Sequence, residues 1–289
     1  MPIATRRAVC GGLLSASVSR AAFGAAGVEE RLRAIEAGTG GRLGVSVGRE
    51  GTPILAWRAD ERFPLCSTFK VLSTAAVLAR VDVGQERLDR VLPLTEADLL
   101  SYAPVSRKAY EAGRGLTVGD ACAAAIEWSD NTAANLQLAL LGGPEALTQW
   151  VRGTGDTLTQ LDRTEPTLNS AIPGDPRDTT TPAAMRESLG RILRGTVLTP
   201  GSRIRLEGWM DGAQTGFKRL RAGLPAAWGV GDKTGSGDHG TFNVVAIIRP
   251  PGRPPLFATV YLTGATASPA ACEAAHREVG RLIAEQTAP

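Results

Sequence analysis

The chain has 289 residues, 43% apolar and 21% charged, which is ordinary for a soluble globular protein and long enough to bury a large core. Its 32 Lys and Arg residues against 29 Asp and Glu give a net charge of +3. Arg6, Arg7 and Arg20 lie before residue 27 with no acid beside them, so the rest of the chain is neutral and has no basic run. That excludes nucleic acid as a partner, which needs a phosphate-neutralising patch, and no later apolar run approaches the roughly 20 residues of a membrane span.

In chain order, TRRAVCGGLLSASVSRAAFGAA has paired arginines, a short apolar stretch and a small-residue end. Residues 1–26 therefore read as an export signal with twin-arginine features, which implies a periplasmic protein. VEERLRAIEAG has helical spacing at Val28, Leu32 and Ile35, and RLGVSVGRE with PILAWRA reads as a hairpin. Helical spacing then dominates in STFKVLSTAAVLARV, TVGDACAAAIEWS, NTAANLQLALL, PEALTQWVRG and PAAMRESLGRILRG. The last opens on Thr181-Pro182, a capping hydroxyl followed by a first-turn proline. Ahead of it lies a long irregular stretch, TLTQLDRTEPTLNSAIPGDPRDTTT, of a length that marks a functional or disordered loop. AAWGVGDKTG, TFNVVAIIRP and PLFATVYLTG are strands, and a final helix starts at Ser268-Pro269. The expected fold is α+β: an antiparallel sheet flanked by terminal helices (27–62 and 213–289), interrupted by an all-helical domain (63–212) that includes the 160–180 loop.

Residue usage narrows the chemistry. Only Lys70, Lys108, Lys218 and Lys233 are lysine. In a chain that otherwise writes arginine, a lysine suggests work that guanidinium cannot do, such as giving up a proton; Lys108 reads as plain surface. His239 and His276 are the only histidines and have no metal-ligand spacing, so no metal or other cofactor is expected. A Ser-His-Asp triad survives only through His239, without a G-x-S-x-G elbow. Cys66, Cys122 and Cys272 read as buried small apolar residues. GSGDHG matches a dinucleotide pattern, but TFNVVAII follows it as a strand where that site needs a helix, so its glycines serve a hairpin.

Three short motifs remain. Ser67 and Lys70 in STFK lie one helical turn apart, close enough for the amine to reach the hydroxyl and replace histidine as base; alone, such a pair is also common on surfaces. Ser129-Asp130-Asn131 joins two helices and suits either capping or a proton relay with a fixed amide. Lys233-Thr234-Gly235, followed by Ser236, sits on a strand whose edge offers donors, a hydroxyl and an ammonium in one row. Aggregation control by an edge lysine is the plain alternative.

In this order and separation the three motifs resemble those shared by class A serine β-lactamases and penicillin-binding proteins. Glu165-Pro166-Thr167-Leu168-Asn169 resembles the E-x-x-L-N of the class A loop, and Tyr102-Ala103-Pro104 its Tyr-x-Pro at the cleft wall. The resemblance covers residue 28 to the end. It implies an active site at the domain junction and β-lactam hydrolysis through an acyl-enzyme on Ser67. Lys70 or Glu165 would be the acylation base, Ser129 the relay to the departing nitrogen, and Glu165 with Asn169 the activators of water. Tyr102, Asn131, Lys233, Thr234, Gly235 and Ser236 would hold the substrate, Arg163 and Asp178 would pair across the loop base, and the enzyme would act as a monomer. Phe242 stands where many members place a carboxylate-binding arginine, with Arg219 resembling the alternative placement. Gly237 replaces the cysteine that would pair with Cys66 in some members, and Thr74 replaces one opposite Cys122. A receptor that stays acylated, or a simple serine-lysine esterase, would not need the E-x-x-L-N loop.

Overall fold

The computed structural model describes residues 15–49, 51 and 53–287. The first part of the expected export signal, with Arg6, Arg7 and Cys10, lies outside the described residues. Helix α1 (Ser15–Thr39) begins earlier than the helix expected from Val28, because the alanine-rich stretch before it has no proline to stop a helix. β1 (Arg42–Gly48) and β2 (Pro53–Trp57) form the expected hairpin.

The helical block follows. The short β3 (Phe63–Pro64) leads into a 3-10 turn (Cys66–Thr68) and α2 (Phe69–Asp82). β4 (Val91–Leu92), α3 (Pro104–Glu111), β5 (Leu116–Thr117), α4 (Val118–Glu127), α5 (Asn131–Leu141) and α6 (Pro144–Gly153) come next. The long loop then ends in β6 (Thr179–Thr180), α7 (Pro182–Leu193) and α8 (Pro200–Asp211). The helical spacing had not singled out α3 or α8. α3 buries only Ser106 and Ala109, and α8 only Ser202, Leu206 and Met210, so neither carries a broad apolar stripe.

The chain closes with β7 (Gly229–Gly237), β8 (Thr241–Arg249), β9 (Leu256–Thr263) and α9 (Pro269–Gln286). The sheet is antiparallel in the order β2-β1-β9-β8-β7, which joins strands from both chain ends. GSGDHG forms the β7–β8 turn, as its strand context requires. On β8, Val244, Ala246 and Ile248 face the core under α1 and α9, while Val245 and Ile247 face the helical block, so the sheet is covered on both sides.

α2 is the centre of the helical block, with every residue from Phe69 to Leu78 buried. Its polar members need partners. Ser73 and Thr74 both donate to Gln137 Oε1 (2.7 and 3.1 Å), and Gln137 Nε2 donates to Ala121 O, which stitches α2, α5 and α4 together. Asp130 does the same for the helix starts. Its carboxylate caps α5 through Ala133 N and accepts from Val105 N, Ser106 N and Ser106 Oγ of α3, all at 2.8–2.9 Å.

Candidate active site

The helical block meets the β7 edge of the sheet at a cleft of about 390 Å³, lined by Ser67, Tyr102, Ser129, Asn131, Thr215, Gly216, Arg219, Thr234, Ser236 and Glu273. Ser67 sits in the 3-10 turn rather than in the body of α2. Cys66 before it has φ 44°, in the left-handed region, and Ser129 has φ 58°. Such conformations cost about 1–3 kcal/mol each and persist where the surroundings enforce them. Here Leu65 N donates to Asp178 O, and Thr68 N and Oγ1 both return to Leu65 O.

Lys70 and Lys233 are fully buried, whereas Lys108 and Lys218 are exposed. Lys70 Nζ donates to Asn131 Oδ1 (2.6 Å) and Ser129 O (2.9 Å), and lies 2.9 Å from Glu165 Oε1. The expected direct contact with Ser67 is replaced by a shared partner: Ser67 Oγ donates to the same Glu165 oxygen at 3.2 Å. A buried carboxylate outcompetes a hydroxyl for an ammonium. Burial pushes the Lys70 amine below its ordinary pKa, with Glu165 opposing the shift. Lys233 is pushed down further, by burial and by the charge of Lys70. Its Nζ donates to Ser129 Oγ (2.9 Å) and Thr234 O (2.8 Å).

Glu165 is placed by the long loop. Arg163 pairs with Asp178 at 2.6 Å across the loop base, and Asp178 also accepts from Asp162 N and Arg163 N. Asn169 Nδ2 donates to Glu165 Oε2, while Asn169 Oδ1 is buried without a protein partner. Sequence reasoning missed Asn135, which grips the Glu165 backbone from both sides: Nδ2 donates to Glu165 O (2.9 Å) and Oδ1 accepts from Glu165 N (3.0 Å). Its position in the first turns of α5, just after Asn131, was the only available signal.

At the other end, Arg219 donates to Gly235 O, Asn243 O and Ser236 Oγ (2.9, 3.0 and 2.7 Å), with its guanidinium 5.1 Å from the Phe242 ring. Burial lowers its pKa. Thr234 Oγ1 donates to Thr215 Oγ1 at 2.8 Å. Gly235 and Gly237 have positional reasons. A Cβ at Gly235 would lie 3.0 Å from Leu65 O, and one at Gly237 2.5 Å from Asn169 O, so β7 presses directly on the turn that carries Ser67 and on the long loop. Tyr102 is half exposed at the cleft wall, and its carbonyl accepts from Asn131 N. Cys66, Cys122 and Cys272 are free thiols, so no disulfide links Cys66 to the site. Among the described residues no cluster of His, Cys, Asp and Glu could hold a metal ion.

A serine, two buried lysines and one carboxylate in a single hydrogen-bonded group are equipped for acyl transfer. Comparison with known proteins agrees. Residues 27–287 match the model of the beta-lactamase enzyme family. Beta-lactamase CTX-M-8 of Citrobacter amalonaticus is 46% identical over 82% of this chain and 81% of its own, and beta-lactamase OXY-1 of Klebsiella oxytoca is 44% identical over the same shares. The solved structure of an ancestral class A beta-lactamase superposes with a TM-score of 0.86 at 56% identity, covering 89% of this chain and 99% of that one. The chain belongs to the beta-lactamase enzyme family, in its class A branch.

Proposed function

We propose that this enzyme opens the β-lactam ring of penicillins and cephalosporins through an acyl-enzyme on Ser67, conferring resistance to them. One observation carries the reading: Glu165 Oε1 is bonded to both Ser67 Oγ and Lys70 Nζ. A receptor that stalls after acylation has no need of a carboxylate held on its nucleophile.

In acylation, Ser67 Oγ attacks the lactam carbonyl as its proton passes to Glu165, which is bonded to it, or to the lowered-pKa amine of Lys70, so that Lys70 alone can serve where the carboxylate is removed. The backbone N–H groups of Ser67 and Ser236 receive the oxyanion. Ser129 Oγ accepts from Lys233 at 2.9 Å and from Lys70 at 3.4 Å. Its own hydrogen is thereby free to go to the departing nitrogen as the C–N bond breaks; Lys70 replaces it and recovers a proton from Glu165 across their 2.9 Å contact, which leaves Glu165 a carboxylate again. In deacylation Glu165 takes a proton from water as the water oxygen attacks the ester; the bond from Ser67 Oγ to the acyl carbon then breaks and Glu165 returns the proton to Ser67 Oγ, while the unpartnered Asn169 Oδ1 accepts the water's other hydrogen.

Lys233, Thr234 and Ser236 bind the substrate carboxylate. Arg219 donates to Ser236 Oγ, so that hydroxyl's hydrogen points away from the guanidinium and toward an anion. Asn131 holds the substrate's amide side chain, Gly235 lets the ligand approach the strand closely, and Tyr102 walls the cleft. The same reading makes 27–62 with 213–289 one domain and 63–212 the other. It makes residues 1–26 a leader for export to the periplasm, supported by a family match that begins at residue 27, and the working unit a monomer, because one chain supplies every group.

Hydrolysis of a chromogenic cephalosporin and a penicillin tests the reading. The enzyme should turn over both, and Ser67→Ala should lose at least about 1,000-fold in kcat. Stoichiometric labelling without turnover would make it a receptor instead.

A further inference from the structure

On β8, the side chain of residue 243 shares a face with Val245 and Ile247, against the helical core, yet it is an asparagine with no solvent exposure. An amide in an apolar row is unfavourable unless every polar atom is bonded, and here all are. Asn243 Nδ2 donates to Pro64 O at 2.9 Å and to Leu65 O at 3.2 Å, while Oδ1 accepts from Leu262 N at 3.3 Å. Two of these bonds reach residues 178 and 179 positions away, on the segment that turns into Cys66 and Ser67.

The other side of the same residue faces the substrate-binding strand. Asn243 is in register with Gly235 on β7, next to Ser236, and its carbonyl accepts from Arg219 together with that of Gly235. A Cβ at Gly235 would meet Leu65 O, Cys66 Cβ and Thr68 Cγ2 at 3.0–3.2 Å, so strand and turn already touch. Asn243 thus clips together the two backbone segments that bear the N–H groups of Ser67 and Ser236, with Tyr261 adding a bond from its hydroxyl to Thr68 Oγ1 at 3.2 Å.

We infer that Asn243 is a positioning residue for the oxyanion site: it sets the separation of the Ser67 and Ser236 donors by tying β8 to the carbonyls of Pro64 and Leu65. This rests on the acyl-enzyme reading above. Replacing it by Leu removes the clip at similar volume, leaves the Pro64 carbonyl unbonded and lets the turn move against the strand. Displacements of about 1 Å cost on the order of 100-fold in such sites.

The test uses isotope-edited infrared spectra of the acyl-enzyme formed with a β-lactam labelled at its ring carbonyl, in Glu165→Ala and in Glu165→Ala/Asn243→Leu. A carbonyl held by two donors absorbs at lower frequency, so the double variant should show a higher, broader band and acylate on the order of 100-fold more slowly. A residue with only a structural role would lower Tm and leave the band in place; an unshifted band overturns the inference. Asn243→Ser, which keeps a small donor, serves the same comparison if the leucine variant does not fold. Absence of any adduct on Glu165→Ala itself would overturn the acyl-enzyme reading, and this inference with it.

Discussion

Four lysines in a chain that otherwise writes arginine proved informative at the residue scale, because two of the four are buried at the cleft and the other two lie in solvent. The two buried lysines were legible because a motif and a scarcity coincided. Asn135 and Asn243 were not, since each sits in a largely apolar run (NLQLALL and TFNVVAII) and bonds backbone 19 or more residues away. Sequence spacing carries no trace of such partners. Arg219 lies between these cases, marked only by the absence of an arginine at Phe242. It stands behind Ser236, and hydrogen bonds involving a charge are worth about 1.5–3 kcal/mol. Arg219→Ala should therefore raise KM for carboxylate-bearing substrates roughly tenfold or more, with a smaller effect on an ester lacking the carboxylate; equal loss on both would remove the anchoring role.

Elements with strong punctuation were legible before the structure. Thr181-Pro182 and Ser268-Pro269 start α7 and α9 with side-chain caps, and α9 buries Cys272, Ala275, Val279, Leu282 and Ile283 along one face. What spacing could not show is the break between Ser67 and Lys70, where a 3-10 turn precedes α2. That break depends on a left-handed Cys66 held by distant groups. Asp130 shows how a cap can exceed its local role, because one buried carboxylate closes the starts of both α3 and α5. Asp130→Ala would orphan several buried donors at about 1–3 kcal/mol each. We expect at least about 3 kcal/mol of destabilisation by chemical denaturation; a change below about 1 kcal/mol would mean the helix starts hold themselves.

For the molecule as a whole, the alternation of apolar strands and helical blocks was enough to read a sheet built from both chain ends, while the placing of the long loop over Ser67 needed contacts that only the fold supplies. The two covered faces of the sheet also bury a titratable group that catalysis does not use. His276 on α9 is fully enclosed, donates through Nδ1 to Cys272 O, and has Nε2 unpartnered. Burial, with the nearby Arg219 charge, lowers its pKa to about 4. The unfolded chain then binds the proton first, so this group's contribution is present above about pH 6.5 and falls as the pH drops toward 4, by on the order of 3 kcal/mol. Thermal unfolding across that range should show a steeper acid loss in the parent than in His276→Leu, and parallel curves would contradict the buried neutral imidazole. The account as a whole turns on Glu165 freeing the ester on Ser67. Time-resolved mass spectrometry with a penicillin measures this directly: Glu165→Ala should hold a stable adduct on the peptide containing Ser67 while the parent returns to its unmodified mass, whereas undiminished turnover by Glu165→Ala, or an adduct on another residue, would contradict it.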